Sequence, residues 1–183
     1  MVLLTTHRLR LRDLDPSDAD AMLRVEGDAE AVRYQSFEPR TADACRAYLA
    51  RDTAGDPDRT CFDLAVTLDG SFIGRVGLDI KRPERSVGEL WFMLDRAHWR
   101  RGLMSEAASA LIDYGFRAHG LHRIFVECDP RNAAAVRLAE KLGMQREGLL
   151  RKHVCIKGEW CDSLYYGLLR DPRTPAGSRP DAL

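Results

Sequence analysis

No stretch of this sequence approaches the ~18 consecutive apolar residues that a membrane-crossing helix requires. Redox and metal spacings are missing too. The five cysteines, Cys45, Cys61, Cys128, Cys155 and Cys161, fall at irregular intervals without a C-x-x-C. Such a set fits reduced thiols better than a disulfide framework or a zinc cage, so no metal is expected. His119-x-x-His122 has no carboxylate or cysteine at ligand spacing and reads as a helix end. Neither charge sign is in excess: 28 basic and 28 acidic side chains leave a formal net charge of zero. A broad field for nucleic acid or anionic lipid is thereby excluded, and any anion site must be local. A Walker phosphate loop is absent. The opening Met1 to Leu14 interleaves arginine with leucine instead of forming an apolar core before a cleavage site, so a cytoplasmic location is expected. With no linker-like segment in 183 residues, one domain is expected over 1–170, followed by a frayed tail over 171–183 that holds three prolines and Gly177.

What is present is ordinary globular composition, 45% apolar and 31% charged, with readable periodicity. Leu9-Arg10-Leu11-Arg12 alternates as a half-buried strand. Asp15-Pro16 then caps a helix running to about Gly27, and Thr41 caps a second. Phe62, Leu64, Val66 and Leu68 alternate up to Asp69-Gly70, a two-residue hairpin signal, and Phe72 to Val76 continues outward. Glu89 to Leu94 is a further strand, and Ala108, Leu111, Ile112 and Phe116 mark the apolar face of the next helix. Arg123 to Glu127 is a strand that should lie parallel to the previous one, because a helix connects them. Asn132 opens a helix stopped by Gly143, and a hairpin turning at Lys157-Gly158 completes the domain. The order β, αα, βββ, α, β, α, ββ predicts an α/β (α+β) domain: a mixed, mostly antiparallel sheet of about seven strands with helices on both faces. Arg8, Arg10 and Arg12 share one face of the first strand; a solvated edge is favoured over a phosphate-binding stripe.

The chemistry concentrates in the middle of the chain. A turn entering a helix presents unpaired N–H groups at the positive end of the dipole, and a glycine there lets the backbone approach a ligand. Arg100, Arg101, Gly102, Leu103, Met104 and Ser105 form such a turn and could hold a diphosphate.

In context, the segment Trp99-Arg100-Arg101-Gly102-Leu103-Met104 resembles the acetyl-CoA signature of the GNAT acetyltransferase superfamily. Trp99 and Met104 in that signature, the later Asn132 and the run Glu140-Lys141-Leu142-Gly143 are similar to the branch of ribosomal-protein N-terminal acetyltransferases. The likeness covers about Leu9 to Leu169, and it implies the GNAT fold with acetyl-CoA as cofactor. By the same resemblance, the pantetheine arm lies along Phe92-Met93-Leu94, an amide of Met93 or Leu94 holds the oxyanion, and Asn132 bonds near the pantetheine. Asn132 is equally a helix cap. Glu89 is the expected base, Tyr165 or a water the expected acid, and Trp160 with Asp162 the expected acceptor contacts. Relatives carry a hydroxyl where this chain has Ala135 and Ala139. Glu106, in the first turn of the helix, is expected to face away from the phosphates that it would repel.

A neutral amine is the attacking species, and an α-amine has a pKa about 2.5 units below lysine, a difference of roughly 3.5 kcal/mol. The resemblance therefore suggests acetylation of a protein N-terminal α-amine. Acetylation of a small amine such as a polyamine or aminoglycoside, and a non-catalytic acyl-CoA-binding role, stay open. A homodimer is a further expectation drawn from the family.

Overall fold

The computed structural model describes residues 2–51, 59–82 and 86–171. The expected loop over 55–59 and the tail from residue 172 onward therefore lie wholly or mostly outside the described residues.

The elements follow the expected order with one addition. The strands are β1 (Leu3–Thr5), β2 (Leu9–Asp13), β3 (Cys61–Leu68), β4 (Ser71–Arg82), β5 (Val87–Leu94), β6 (Arg123–Cys128), β7 (Gln145–Ile156) and β8 (Glu159–Leu169). The helices are α1 (Ala19–Glu26), α2 (Ala42–Leu49), α3 (Leu103–Ala118) and α4 (Ala133–Lys141). They form an eight-stranded sheet in the order β1-β2-β3-β4-β5-β6-β8-β7. The extra strand, β1, has three residues, too few for alternation to register in sequence. Its pairing with β2, Leu4 opposite Leu11, moves β2 off the sheet edge.

Local signals hold where they were strongest. Asp15 and Asp18 form a reciprocal capping box over a single 3-10 turn before α1, and the Thr41 side chain accepts from the Ala44 amide to start α2. Both hairpin turns, Asp69-Gly70 and Lys157-Gly158, place two residues at positive φ, as a two-residue turn between twisted strands requires.

Helices cover both faces of the sheet and give two apolar cores. Leu103, Ala107, Leu111 and Phe116 of α3 and Ala139 of α4 pack with Leu64, Val66, Val76, Leu78 and Leu90 from one face. Met22, Val25, Cys45 and Leu49 of α1 and α2 pack with Ala65, Phe72 and Met93 from the other. β3 is consequently buried almost throughout. Each fully buried Leu contributes about 1.5–3 kcal/mol, so these faces fix the register of the central strands.

One feature of the sheet positions the site. β5 and β6 are parallel but pair over only three positions, Val87 with Arg123, Gly88 with Ile124 and Glu89 with Phe125. Beyond them β6 pairs only with β8, and β5 continues paired to β4 alone. The two strands have parted, and the β6-facing edge of β5 from Leu90 to Leu94 carries backbone groups with no strand partner among the described residues.

Candidate active site

Which β5 groups face that gap is set by alternation. The Asp95 amide bonds to the Ile73 carbonyl at 2.8 Å, and the β4–β5 register runs unbroken from Gly74–Leu94 to Asp79–Glu89. In an antiparallel ladder, residues whose N–H and C=O point at the partner alternate with residues whose groups point away. Met93 therefore directs its backbone at β4, where its carbonyl sits against Gly74. Phe92 and Leu94 direct theirs into the gap. Of the two amides considered for the oxyanion, Leu94's is the one that faces the opening. Met93 instead contributes its side chain to the α1–α2 core.

At the C-terminal end of β5 the chain turns into α3. Trp99, the first signature position, ties that turn to the strand by donating from Nε1 to the Leu94 carbonyl at 2.8 Å. Arg100 and Gly102 both adopt positive φ, 60° and 73°, and α3 starts with no side-chain cap. The first-turn amides of Leu103, Met104 and Ser105 are thus left for a ligand, in the concave backbone arrangement that binds anions. Two cations converge there: a Cβ on Gly102 would lie 3.6 Å from Lys141 Nζ and 3.7 Å from an Arg8 guanidinium nitrogen. Arg8 also donates to the Arg101 carbonyl at 3.1 Å.

Lys141 and Arg8 were not foreseen as site residues. Lys141 lay in the quoted Glu140-Lys141-Leu142-Gly143 run, but its reach to Gly102 comes from the packing of α4 beside α3. Arg8 belongs to the stripe read as a solvated edge, and the structure corrects that reading residue by residue. Arg8 engages Glu106 at 2.7 Å and Arg12 engages Asp18 at 2.7 Å, whereas Arg10 is exposed and has no such ion pair among the described residues. Glu106 accepts from Thr6 Oγ1 and the Arg8 amide, at 2.6 and 2.8 Å. Burial would raise its carboxyl, but these bonds outweigh it and hold the group below its usual range. It faces the β1–β2 turn, as its position beside an anion site demands.

Across the gap, the α1–α2 face of the sheet carries the polar groups. Glu89, Trp91 and Met93 share that face of β5 with Phe125 and Glu127 of β6 and Ser163 and Tyr165 of β8. Glu89 sits where the strands part, 26% exposed, with Lys81 Nζ 3.1 Å away; Lys81 also bridges to Asp79. Trp91 lies flat across Gly77, where a Cβ would sit inside its indole. Arg75 stacks between Trp91 and Tyr48 and pairs with Glu26 at 2.6 Å and Asp63 at 2.5 Å, fixing α1 and α2 to the sheet.

Tyr165 donates its hydroxyl to Glu127 Oε2 at 2.6 Å. Burial first, then that bond and the charges of Glu127 and Glu89, push its pKa up, so it stays protonated. Its proton is held by a carboxylate, and acting as an acid would require breaking that bond. The two expected acceptor contacts are not brought to Glu89. Trp160 is 59% exposed, and Asp162 accepts from the Lys152 amide at 2.9 Å; both lie on the opposite face of β8 from Tyr165. Asn132 caps α4 by accepting from the Ala135 amide at 3.1 Å, at the mouth of the gap where β6 ends. Ala135 and Ala139 are buried apolar contacts.

Among the described residues no cluster of His, Cys, Asp or Glu is suited to a metal.

The family model for the acetyltransferase (GNAT) domain matches residues 8–145. N-acetyltransferase p20 of Bacillus licheniformis is 33% identical over 174 residues, spanning 93% of this chain and 97% of that one. Spermidine N(1)-acetyltransferase of Escherichia coli K12 is 27% identical over 87% of this chain and 85% of its own. The crystal structure of RimL, a ribosomal L7/L12 α-N-protein acetyltransferase in complex with coenzyme A, superposes with a TM-score of 0.82 over 93% of this chain and 99% of that one; at 18% identity it shares the fold. Acetyl-CoA is the cofactor, and the uncapped turn, its flanking cations and the unpaired β5 edge suit its diphosphate and pantetheine. The chain belongs to the GNAT acetyltransferase family and is an acetyl-CoA-dependent N-acetyltransferase.

Proposed function

We propose that this enzyme acetylates a primary amine that arrives as a cation, with a small polyamine-like amine as the first-choice acceptor. One observation carries this reading: Asp79, Glu89 and Glu127 stand on one face of the sheet beside the β5–β6 opening, interleaved with Trp91, Phe125 and Tyr165. Among the described residues Lys81 is the cation paired with two of these carboxylates, Asp79 and Glu89, whereas Arg75 beside Trp91 and Arg123 beside Phe125 are paired with Glu26, Asp63 and Glu147. Carboxylates attract an ammonium, and aromatic faces hold alkyl-ammonium groups by cation–π attraction. The spermidine acetyltransferase likeness points the same way. Acetyl-CoA would lie with its diphosphate on the amides of Leu103, Met104 and Ser105 between Arg8 and Lys141, its pantetheine against Phe92 and Leu94, and the Asn132 amide group beside it. The Leu94 amide would then meet the developing oxyanion, and Glu89 would face the amine.

A protein N-terminal α-amine is the second reading. Glu89 is partly exposed and bridged to Lys81, which suits an amine already on the order of a tenth neutral at pH 7. Release of coenzyme A, measured with spermidine, an aminoglycoside and short peptides starting with Ala or Ser, decides between them. Spermidine should give the highest kcat/KM. A preference for the peptides would replace the first reading by the second, and no release with any amine, despite acetyl-CoA binding, would remove both.

We place the enzyme in the cytoplasm, in keeping with five free cysteines. A homodimer through the free β7 edge, where Leu149 and Leu150 are exposed, is the oligomer we propose; light scattering reads it directly.

A further inference from the structure

Four polar side chains from three strands meet at one point, and only one of them, Tyr165, is an expected site residue. Glu127, on the diverging end of β6, accepts from Tyr165 at 2.6 Å, from Ser163 Oγ at 2.7 Å, and lies 3.1 Å from His153 Nδ1. Burial alone would raise the Glu127 carboxyl, but the bonds from Tyr165, Ser163 and His153 outweigh it and hold the group low. A carboxylate has no proton to give, so the ring nitrogen facing it must carry one. The Ser163 hydroxyl, already committed to Glu127, cannot also donate to that nitrogen, 3.2 Å away. The network therefore assigns the proton of a neutral His153 to Nδ1 and leaves Nε2 with a bare lone pair.

The chain does unusual things to put His153 there. The β7–β8 register breaks between Leu150 and Val154, and Lys152, not a glycine, takes a positive φ of 49°. Asp162 captures the Lys152 amide at 2.9 Å, and Lys152 Nζ reaches the Trp160 carbonyl at 3.0 Å. This bulge re-aims the following side chain, and non-glycine residues at positive φ concentrate at functional sites. Asp162 thereby has a purpose different from the acceptor contact expected of it: it holds the bulge. His153 stands 5.9 Å, ring to ring, from Tyr165, which stacks at the same separation on Phe125, the β6 partner of Glu89. It is 36% exposed, open to an incoming molecule.

We propose that His153 is the proton acceptor for the attacking amine, with Glu127 as the positioning residue that fixes its tautomer. The proposal rests on the amine-acetylation reading above. In the step, the arriving ammonium first releases one proton to solvent water, and the lone pair of the resulting neutral amine forms a C–N bond to the thioester carbonyl. The positively charged nitrogen of the adduct passes its proton to Nε2, the C–S bond breaks with its electron pair on sulfur, and the imidazolium returns the proton to the thiolate. Atoms and charge balance with no further reagent. A carboxylate already fed by three donors is a poor proton acceptor, whereas the Nε2 lone pair of an imidazole protonated on Nδ1 is the acceptor that the ring offers. The groups facing the ring are Glu127 from β6 and Tyr165 and Ser163 from β8, with Glu89 and its partner Lys81 beyond Tyr165.

The test compares wild type, His153→Ala and Glu127→Gln by coenzyme A release across pH, with spermidine and an Ala-initiated peptide. His153→Ala should lose about 100-fold or more in kcat at pH 7, keep its KM for acetyl-CoA, lose the acidic limb of the wild-type kcat/KM profile, and recover part of the rate with added imidazole. Glu127→Gln should shift that limb and lower kcat less. A His153→Ala enzyme within about threefold of wild type, or one keeping the limb, overturns the proposal. If wild type turns over no amine, the acceptor reading fails separately, and 15N NMR of the resting protein still decides the dyad: Nδ1–H with bare Nε2 upholds it, and Nε2–H sinks it.

Discussion

Gly102 separates two effects that a single loss-of-binding measurement would merge. Its φ of 73° is a left-handed conformation, and an added Cβ meets only Lys141 Nζ at 3.6 Å and an Arg8 nitrogen at 3.7 Å, both ordinary contacts. Gly102→Ala therefore carries backbone strain of about 1–2 kcal/mol and no clash, which a lower Tm records. Gly102→Glu carries the same strain but sets a carboxylate among two cations at the positive end of α3. That placement returns about 0.3–1 kcal/mol to folding. The same carboxylate repels a diphosphate: at ~4 Å a unit pair is worth between about 1 and 4 kcal/mol, so a mid-value of ~2 kcal/mol weakens binding about 30-fold. The expected signature has opposite signs: Gly102→Glu melts above Gly102→Ala yet binds acetyl-CoA about 30-fold more weakly by calorimetry, the gap narrowing with salt. Lys141→Ala should fall between, folding unaltered and affinity reduced most at low ionic strength. If Gly102→Glu binds within about twofold of Gly102→Ala at low salt, where about 30-fold is expected, the diphosphate does not sit on this turn.

Leu94→Pro and Met93→Pro delete adjacent amides with different partners. Leu94→Pro should stay folded and lose about 100- to 1000-fold in kcat as the oxyanion donor goes, while Met93→Pro breaks the β4 ladder and costs about 3 kcal/mol of stability; full turnover in Leu94→Pro would dismiss the assignment. Arg75→Ala leaves the buried Asp63 without its cation and Glu26, 1% exposed, with Arg40 alone, so the urea midpoint should report a loss of about 3–5 kcal/mol at pH 7. Burial already pushes the Asp63 carboxyl up despite Arg75; without the cation it rises further, and a group with a raised folded pKa gains stability as pH falls, so the deficit should shrink toward pH ~4.

Much of the fold was legible because its signals are local. Capping at Asp15 and Thr41, hairpin turns at Asp69-Gly70 and Lys157-Gly158, and the α3 stripe from Ala108 to Phe116 depend on residues a few positions apart. β1 escaped because three residues held by β2 leave no periodic trace. The Arg8, Arg10, Arg12 stripe misled for a related reason: strand alternation says which side chains share a face but nothing about Glu106 or Asp18 waiting there.

The two halves of the site differ in the same physical respect. The proposed cofactor side is built from backbone: an uncapped helix start, a left-handed glycine, and a strand edge stripped of its neighbour. Backbone geometry needs only a few residue types at fixed spacing, so Gly102 and the helix after it could be read from the sequence. The proposed acceptor side is built from side chains delivered by separate strands. Glu127, His153, Ser163 and Tyr165 meet only because β6 leaves β5 for β8 and because β7 bulges at Lys152. None of those events has a local signature: Lys152 is a lysine at positive φ, and the Asp162 that holds it is ten residues away. A search by spacing therefore finds the turn that enters α3 and passes over His153, which only the meeting of separate strands brings to Glu127. Divergence of acceptor preference among enzymes of this fold is expected to fall on that hairpin, where a bulge can shift or a single residue can change without disturbing the turn proposed to hold the cofactor.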